Sequence, residues 1–238
     1  MCTVVVRWSA GQPPKLLALR DELTTRDFDD PGRWWPEFPD VVGGRDRAAG
    51  GTWCATHVGT GATALVVNRP QKREADPGAP SRGVLPLLAA EHGADWPAHV
   101  ECGGMASFAL LLATPRGVTT WDFDGEVVTS AEHPEGTSML TSGGPEDRKA
   151  DVHLKAFEQA GCPDGWRRLV QEGPPRDDPA ALVVRHERDG LVFATIFGEL
   201  IEARPGSLRL EYSREPWERQ PWRALTVAGS GAPGAPVD

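Results

Sequence analysis

The chain has 238 residues, enough for one sizeable core, and its formal net charge of −9 carries no basic stripe for a phosphate backbone, which argues against a nucleic-acid partner. No apolar run is long enough to cross a bilayer, and the N-terminus lacks the basic start, apolar middle and small-residue cleavage site of a secretion signal, so a cytoplasmic protein is expected. The four cysteines, at positions 2, 54, 102 and 162, form no CxxC pair and read as free thiols, with neither a structural zinc site nor a redox pair signalled.

Residues 3–7 (TVVVR) and 15–20 (KLLALR) read as strands, and SAGQPP between them as the turn of a hairpin. Cys2 then begins the first strand, Arg20–Asp21 closes the second, and antiparallel pairing brings those ends together. A long loop over 24–53 follows, holding Trp34, Trp35, Phe38, Trp53 and two glycine pairs. Loops of that length in compact domains are often functional. Segments 52–57 and 62–68, joined by VGTG, read as a second hairpin. Residues 69–81 read as a mobile polar loop, and 82–92 as a short helix with Leu85, Leu88 and Ala89 on one face. The apolar stretch 104–113 fits a buried strand or a helix. Strands at 117–123 and 125–129 flank FDGE, and 145–161 is an amphipathic helix with Pro145 at its start and Gly161 after its end. Strands at 181–187 and 190–196 flank RDG, another pair falls at 198–203 and 207–212, and the tail 229–238 reads as disordered. This order indicates an α+β fold with antiparallel sheets in a single domain over residues 1–228.

Several residues suggest chemistry. Removal of Met1 would leave Cys2 with a thiol and a free α-amine on one carbon, and the amine, with a pKa of about 8, is a ready base. Arg20 could stabilise the thiolate and Asp21 could hold the amine. Neighbouring strand residues face opposite ways, so both reach the sulfur only if the strand breaks there. The same spacing also fits Cys2 as a core residue beside a solvated strand end. The glycines of GGRDRAAGGTW (43–53) let backbone amides approach a ligand, or make tight turns around a packed Trp53. Asn68, ending an apolar strand, could offer its amide to an oxyanion or be an ordinary turn residue. The six histidines show no HExxH or other tight metal spacing, so no metal is expected, although one could serve as an axial ligand to haem iron. Trp34–Trp35 could line an apolar ligand pocket.

Taken together, the opening MC with its strand, the RDE at the second strand's end, the tryptophan-containing loop, GGRD…AGGTW and an apolar strand ending in asparagine resemble the NRDE family, which includes the transport and Golgi organisation protein 2 group. The likeness is clearest over residues 1–70, and SRG (81–83) followed by Leu85 fits it more loosely. Leu19 stands where the family's name motif has asparagine, and in FATIFGELI (193–201) only Thr195 survives of the family's Gly-Thr-Arg-Ser-Ser segment, with Ile196 in place of arginine. The resemblance implies a four-layer αββα sandwich similar to N-terminal nucleophile hydrolases. In the bile-salt hydrolase and penicillin acylase group of that superfamily the chain likewise begins Met-Cys-Thr. By that likeness Cys2 would be the nucleophile and its amine the base, Arg20 and Asp21 would organise them, and Asn68 would donate to the oxyanion. Glu22, Trp34, Trp35, Gly50, Gly51, Thr52 and Trp53 would bind substrate. The implied activity is hydrolysis or transfer of the acyl group of a C–N amide or related bond, with no required cofactor and a small acyl or amide compound as partner. The rival is a non-catalytic carrier of haem or of acyl-CoA and lipid, since family members have been linked to both, and a fold does not settle an activity.

Overall fold

The computed structural model describes residues 2–70, 75–144, 147–172 and 175–229. Strands β1 (Thr3–Trp8) and β2 (Lys15–Leu23) form the expected hairpin, with Thr3 opposite Leu19. Their apolar runs are continuous because both faces are covered. Val4, Val6, Leu16 and Ala18 enter one core cluster, while Val5, Leu17 and Leu19 enter another.

The expected long loop instead contains two strands, β3 (Phe28–Gly32) and β4 (Val41–Asp46). The second hairpin is β5 (Cys54–His57) and β6 (Ala62–Asn68). A 3-10 turn (Arg82–Val84) leads into α1 (Leu85–His92), which is buried on nearly all sides rather than on one face. The ambiguous 104–113 stretch ends in a strand, β7 (Phe108–Thr114), followed by β8 (Gly117–Phe123) and β9 (Val128–Glu132) around the FDGE turn. Strand β10 (Gly136–Thr141) was not expected. Helix α2 (Arg148–Gln159) is capped by Asp147, whose side chain accepts from the Lys149 amide; Pro145, its expected start, lies outside the described residues. Helix α3 (Asp164–Gln171) was missed, and β11 (Arg185–Arg188) follows it. The segments 190–196 and 198–203 form one continuous 14-residue strand, β12 (Leu191–Arg204). Strands β13 (Ser207–Ser213) and β14 (Arg223–Ala228) complete the chain, the latter unforeseen. Of the expected loop at 69–81, residues 71–74 lie outside the described residues, as does the expected disordered tail beyond Gly229.

The strands make two seven-stranded antiparallel sheets. One runs β10-β1-β2-β12-β13-β14, with β11 also on β12; the other is a meander of β3 to β9 in chain order. Core clusters define the layers. One joins Val4, Val6, Leu16 and Ala18 to Val42, Leu65, Val67, Ala109 and Leu111, so the two sheets face each other. A second joins the meander's other face to α1. A third joins the first sheet's other face to Phe157 of α2 and Trp166 of α3. The result is the four-layer αββα sandwich that the family resemblance implies.

Between the sheets sits one carboxyl, Glu199 of β12, which is 2% exposed. It accepts from Trp53 Nε1 at 3.1 Å and bonds the Cys54 thiol. Burial pushes its pKa up to about 7, against the pull of the bonds from Cys54 and Trp53. An unfolded glutamate titrates near about 4.3. Between those values the native state keeps a proton that the unfolded chain has lost, so stability falls as pH rises through this window and levels off above it. Glu199→Gln has no such proton to lose. Measured by urea unfolding, the variant should gain about 3 kcal/mol on wild type between about pH 4.3 and pH 8. A pH-independent difference would show that Glu199 is ionised throughout.

Candidate active site

Cys2 directly precedes β1 and is half-buried at the margin of the inter-sheet core. Its backbone N–H donates to Ser142 Oγ at 2.7 Å, and the Ser142 amide donates back to the Cys2 carbonyl at 3.1 Å. The residue after β10 thus fixes the residue before β1. The sulfur lies 3.9 Å from the Asp21 carbonyl oxygen, and Cys2 borders a cleft of about 170 Å³. Burial raises the thiol's pKa and the Asp21 charge adds to this, while Arg20 opposes them. The resting form at neutral pH is therefore the thiol, which needs a base before it can act as a nucleophile.

Strand β2 does not break at Arg20–Asp21. It runs on to Leu23, and its period of two sends the side chains to opposite faces. Arg20 follows Leu16 and Ala18 into the inter-sheet space. Its guanidinium lies 4.4 Å from the Trp53 ring centroid and 5.2 Å from that of Phe28. It donates to Asp46 Oδ2 at 3.1 Å and stands 3.9 Å from Glu22. Asp46 also accepts from Arg26 at 2.6 and 3.2 Å and from the Ala48 and Ala49 amides. Burial works against its charge, but the bonds from Arg26 and the Ala49 amide hold Asp46 below the usual carboxylate range.

Asp21 follows Leu17 and Leu19 toward the helices. Its Oδ1 accepts from Thr195 Oγ1 at 2.6 Å, and its Oδ2 lies 3.8 Å from Lys149 Nζ in the first turn of α2. Burial raises the Asp21 pKa, and Lys149 and Thr195 pull it back. Thr195 reaches this position beside a bulge in β12, between Thr195 and Phe197, which leaves Ile196 as the extra residue against the inter-sheet core. Leu19, in the place of the family's asparagine, is buried on the helix side and does not face the cleft.

Of the residues the sequence nominated, Cys2, Arg20, Asp21, Glu22, Gly51, Thr52, Trp53 and Asn68 all border the cleft. Gly50 does not; its carbonyl accepts from Trp35 Nε1 at 2.8 Å. Trp34 and Trp35, expected in a ligand pocket, lie elsewhere. Trp35 packs in the core between the meander and α1, and Trp34 lies over Arg45 with its ring centroid 4.7 Å from the guanidinium carbon. The glycine pair at 43–44 serves packing: a Cβ on Gly44 would meet the Trp53 ring at 2.4 Å. Sequence reasoning missed Asp46, Arg82, Ser142 and Lys149. Two of them had a cue: Arg82 in the SRG segment and Asp46 in GGRD. None of the six histidines borders the cleft, and among the described residues no three His, Cys, Asp or Glu side chains are grouped to hold a metal. No helix among them is long and apolar enough to cross a membrane.

Two antiparallel sheets packed face to face between outer helices, with a cysteine ahead of the first strand, define a four-layer αββα protein with a candidate nucleophile at one end of its sheets. The chain belongs to the Transport and Golgi organisation 2 family, whose model matches residues 1–120. Among solved structures it is similar to the Caenorhabditis elegans N-acylethanolamine-hydrolyzing acid amidase ortholog, with 11% identity, a TM-score of 0.45, and coverage of 93% of this chain and 95% of that one. No match was found among curated proteins.

Lys149 and Asp21 are both fully buried, so removing the Lys149 charge takes a counter-charge from a carboxylate that keeps its bond from Thr195. Lys149→Met should destabilise the fold by about 3 kcal/mol or more. Adding Asp21→Asn should recover part of that loss in a urea-unfolding double-mutant cycle. Strictly additive losses would mean the two side chains do not interact.

Proposed function

We propose that the chain is an N-terminal cysteine amidohydrolase or acyltransferase acting on a C–N amide or related acyl bond. The observation that carries this reading is the placement of Cys2. Cys2 is half-buried at the margin of the apolar core and lines a cleft together with Arg20 and Asn68.

Removal of Met1 would turn the Cys2 amide nitrogen, already bonded to Ser142 Oγ, into an α-amine beside the same hydroxyl. An amine with a pKa of about 8 is partly unprotonated at neutral pH and takes the proton from the thiol. The thiolate attacks the substrate carbonyl, whose electron pair moves onto oxygen, and Asn68 is the amide on the cleft wall suited to receive that charge. Collapse of the intermediate breaks the C–N bond, the protonated amine passes its proton to the leaving nitrogen, and a thioester remains on Cys2. Water or an acceptor amine then displaces the thiol. Arg20, fixed by Asp46 and Trp53, supplies a positive charge near the sulfur throughout.

The cleft's size favours this reading over a haem carrier. At about 170 Å³ it is smaller than the roughly 300–1,000 Å³ of typical cofactor and drug-sized sites, so it suits an acyl head group whose remainder lies outside. A carrier relying on Trp34 and Trp35 would also need another surface.

The intact mass of the purified protein should lack Met1, and a thiol-directed acyl probe should label Cys2 and not Cys54, Cys102 or Cys162. Cys2→Ala should reduce turnover of an amide library by at least about 100-fold with unchanged thermal unfolding. Full activity in Cys2→Ala, or a retained Met1 in active protein, would overturn the mechanism. A shifted Soret band on stoichiometric haem titration would favour the carrier.

A further inference from the structure

Two of the three guanidiniums that line the cleft are held by carboxylates. Asp46 engages both Arg20 and Arg26, and Glu22 lies 3.9 Å from each of them. Asp21 turns its carboxylate to Lys149 and Thr195. The third guanidinium on the wall, Arg82, has no such partner. Its Nη1 donates to the Ser107 carbonyl at 2.9 Å, and among the described residues no carboxylate oxygen lies within 4.0 Å of it. A partly desolvated cation with no carboxylate in contact is an unfavourable arrangement. On a chain with a net charge of −9 it is also a local exception.

The position of Arg82 is built by the backbone. A Cβ on Gly51 would stand 2.5 Å from the Gly83 carbonyl group, so the two segments meet this closely only with glycine at position 51. Thr52 N donates to Gly83 O at 2.8 Å, and Ser81 Oγ accepts from the Gly83 amide at 3.3 Å. These bonds seat the 81–83 turn on the rim and put Arg82 on the wall that Cys2 borders. Burial lowers the Arg82 pKa, and a thiolate at Cys2 and the Glu22 carboxylate raise it again, as expected for groups sharing one space.

We propose that Arg82 is the specificity-determining residue of the cleft, pairing with a carboxylate or phosphate carried by the acyl compound presented to Cys2. This rests on the reading of Cys2 as the nucleophile. A guanidinium suits the task because its planar fork binds either oxyanion through two parallel hydrogen bonds.

The test compares two alkylating reagents on the full, Met1-processed chain. Iodoacetate is anionic and iodoacetamide neutral; each forms a carbon–sulfur bond as iodide leaves and the thiol proton passes to the amine. Arg82→Gln removes a cation near the sulfur, so both rates should fall, but the iodoacetate-to-iodoacetamide ratio at Cys2 should fall by about tenfold. Arg82→Lys should keep most of that ratio. Acetate and inorganic phosphate should protect wild-type Cys2 from iodoacetamide, and the more potent of the two identifies the anion. This arm needs no variant. Cys2 labelled with an unchanged ratio in folded Arg82→Gln, or no protection of wild type by either anion, overturns the assignment of Arg82 alone. Cys2 unreactive to both reagents overturns the nucleophile reading and this inference with it.

Discussion

Arg20 rises from one sheet and is held by the other. The strand that carries it belongs to the first sheet, while Asp46 and Trp53 belong to the meander and the segment leading into it. Taking a guanidinium out of water is costly, and the ion pair with Asp46 and the faces of Trp53 and Phe28 offset that cost together. The sheets are therefore tied at the end where their apolar packing gives way to the cleft. The tie is continued inward, because the Trp53 indole nitrogen is held by Glu199 in the core. Gly44 leaves the room in which the ring lies. A mainly apolar interface thus contains one polar row, Glu199–Trp53–Arg20–Asp46, leading from its centre to the sulfur's surroundings.

The alternation of β2 gives the site a second side. Because adjacent residues point to opposite faces, Asp21 joins Lys149 and Thr195 beneath the sheet while its carbonyl remains 3.9 Å from the Cys2 sulfur. The outer helix layer therefore contributes to the electrostatics of a cleft it does not line. The same alternation turns Leu19 away, so the family's asparagine position is filled here by core packing on the helix side.

Much of this was readable from the residues. The first hairpin placed Cys2 beside Arg20, and the turns FDGE and RDG located two further strand pairs. The strands that escaped notice have physical reasons. Strands β3, β10 and β14 lie at sheet edges, where only part of the strand is buried and the apolar signal is weak. Strand β3 even holds Pro31, which an edge tolerates and an interior strand does not. Strand β4 was hidden by Gly43 and Gly44, whose missing side chains make room for Cys54 and Trp53. In the site, local geometry supplied the N-terminal half. Ser142 and Lys149 arrive from more than a hundred residues away, through a strand and a helix cap that no local pattern ties to Cys2.

The sulfur and the unpaired guanidinium of Arg82 have separate supports. Cys2 is anchored by β1 and the residue after β10, whereas Arg82 rides on a short turn clasped between Gly51 and Gly83 ahead of α1. Replacing the side chain at 82 disturbs neither clasp nor anchor. With Cys2 as the proposed nucleophile and Arg82 as the proposed anion contact, substitution at 82 would change what such a chain recognises without touching the support of its reacting end.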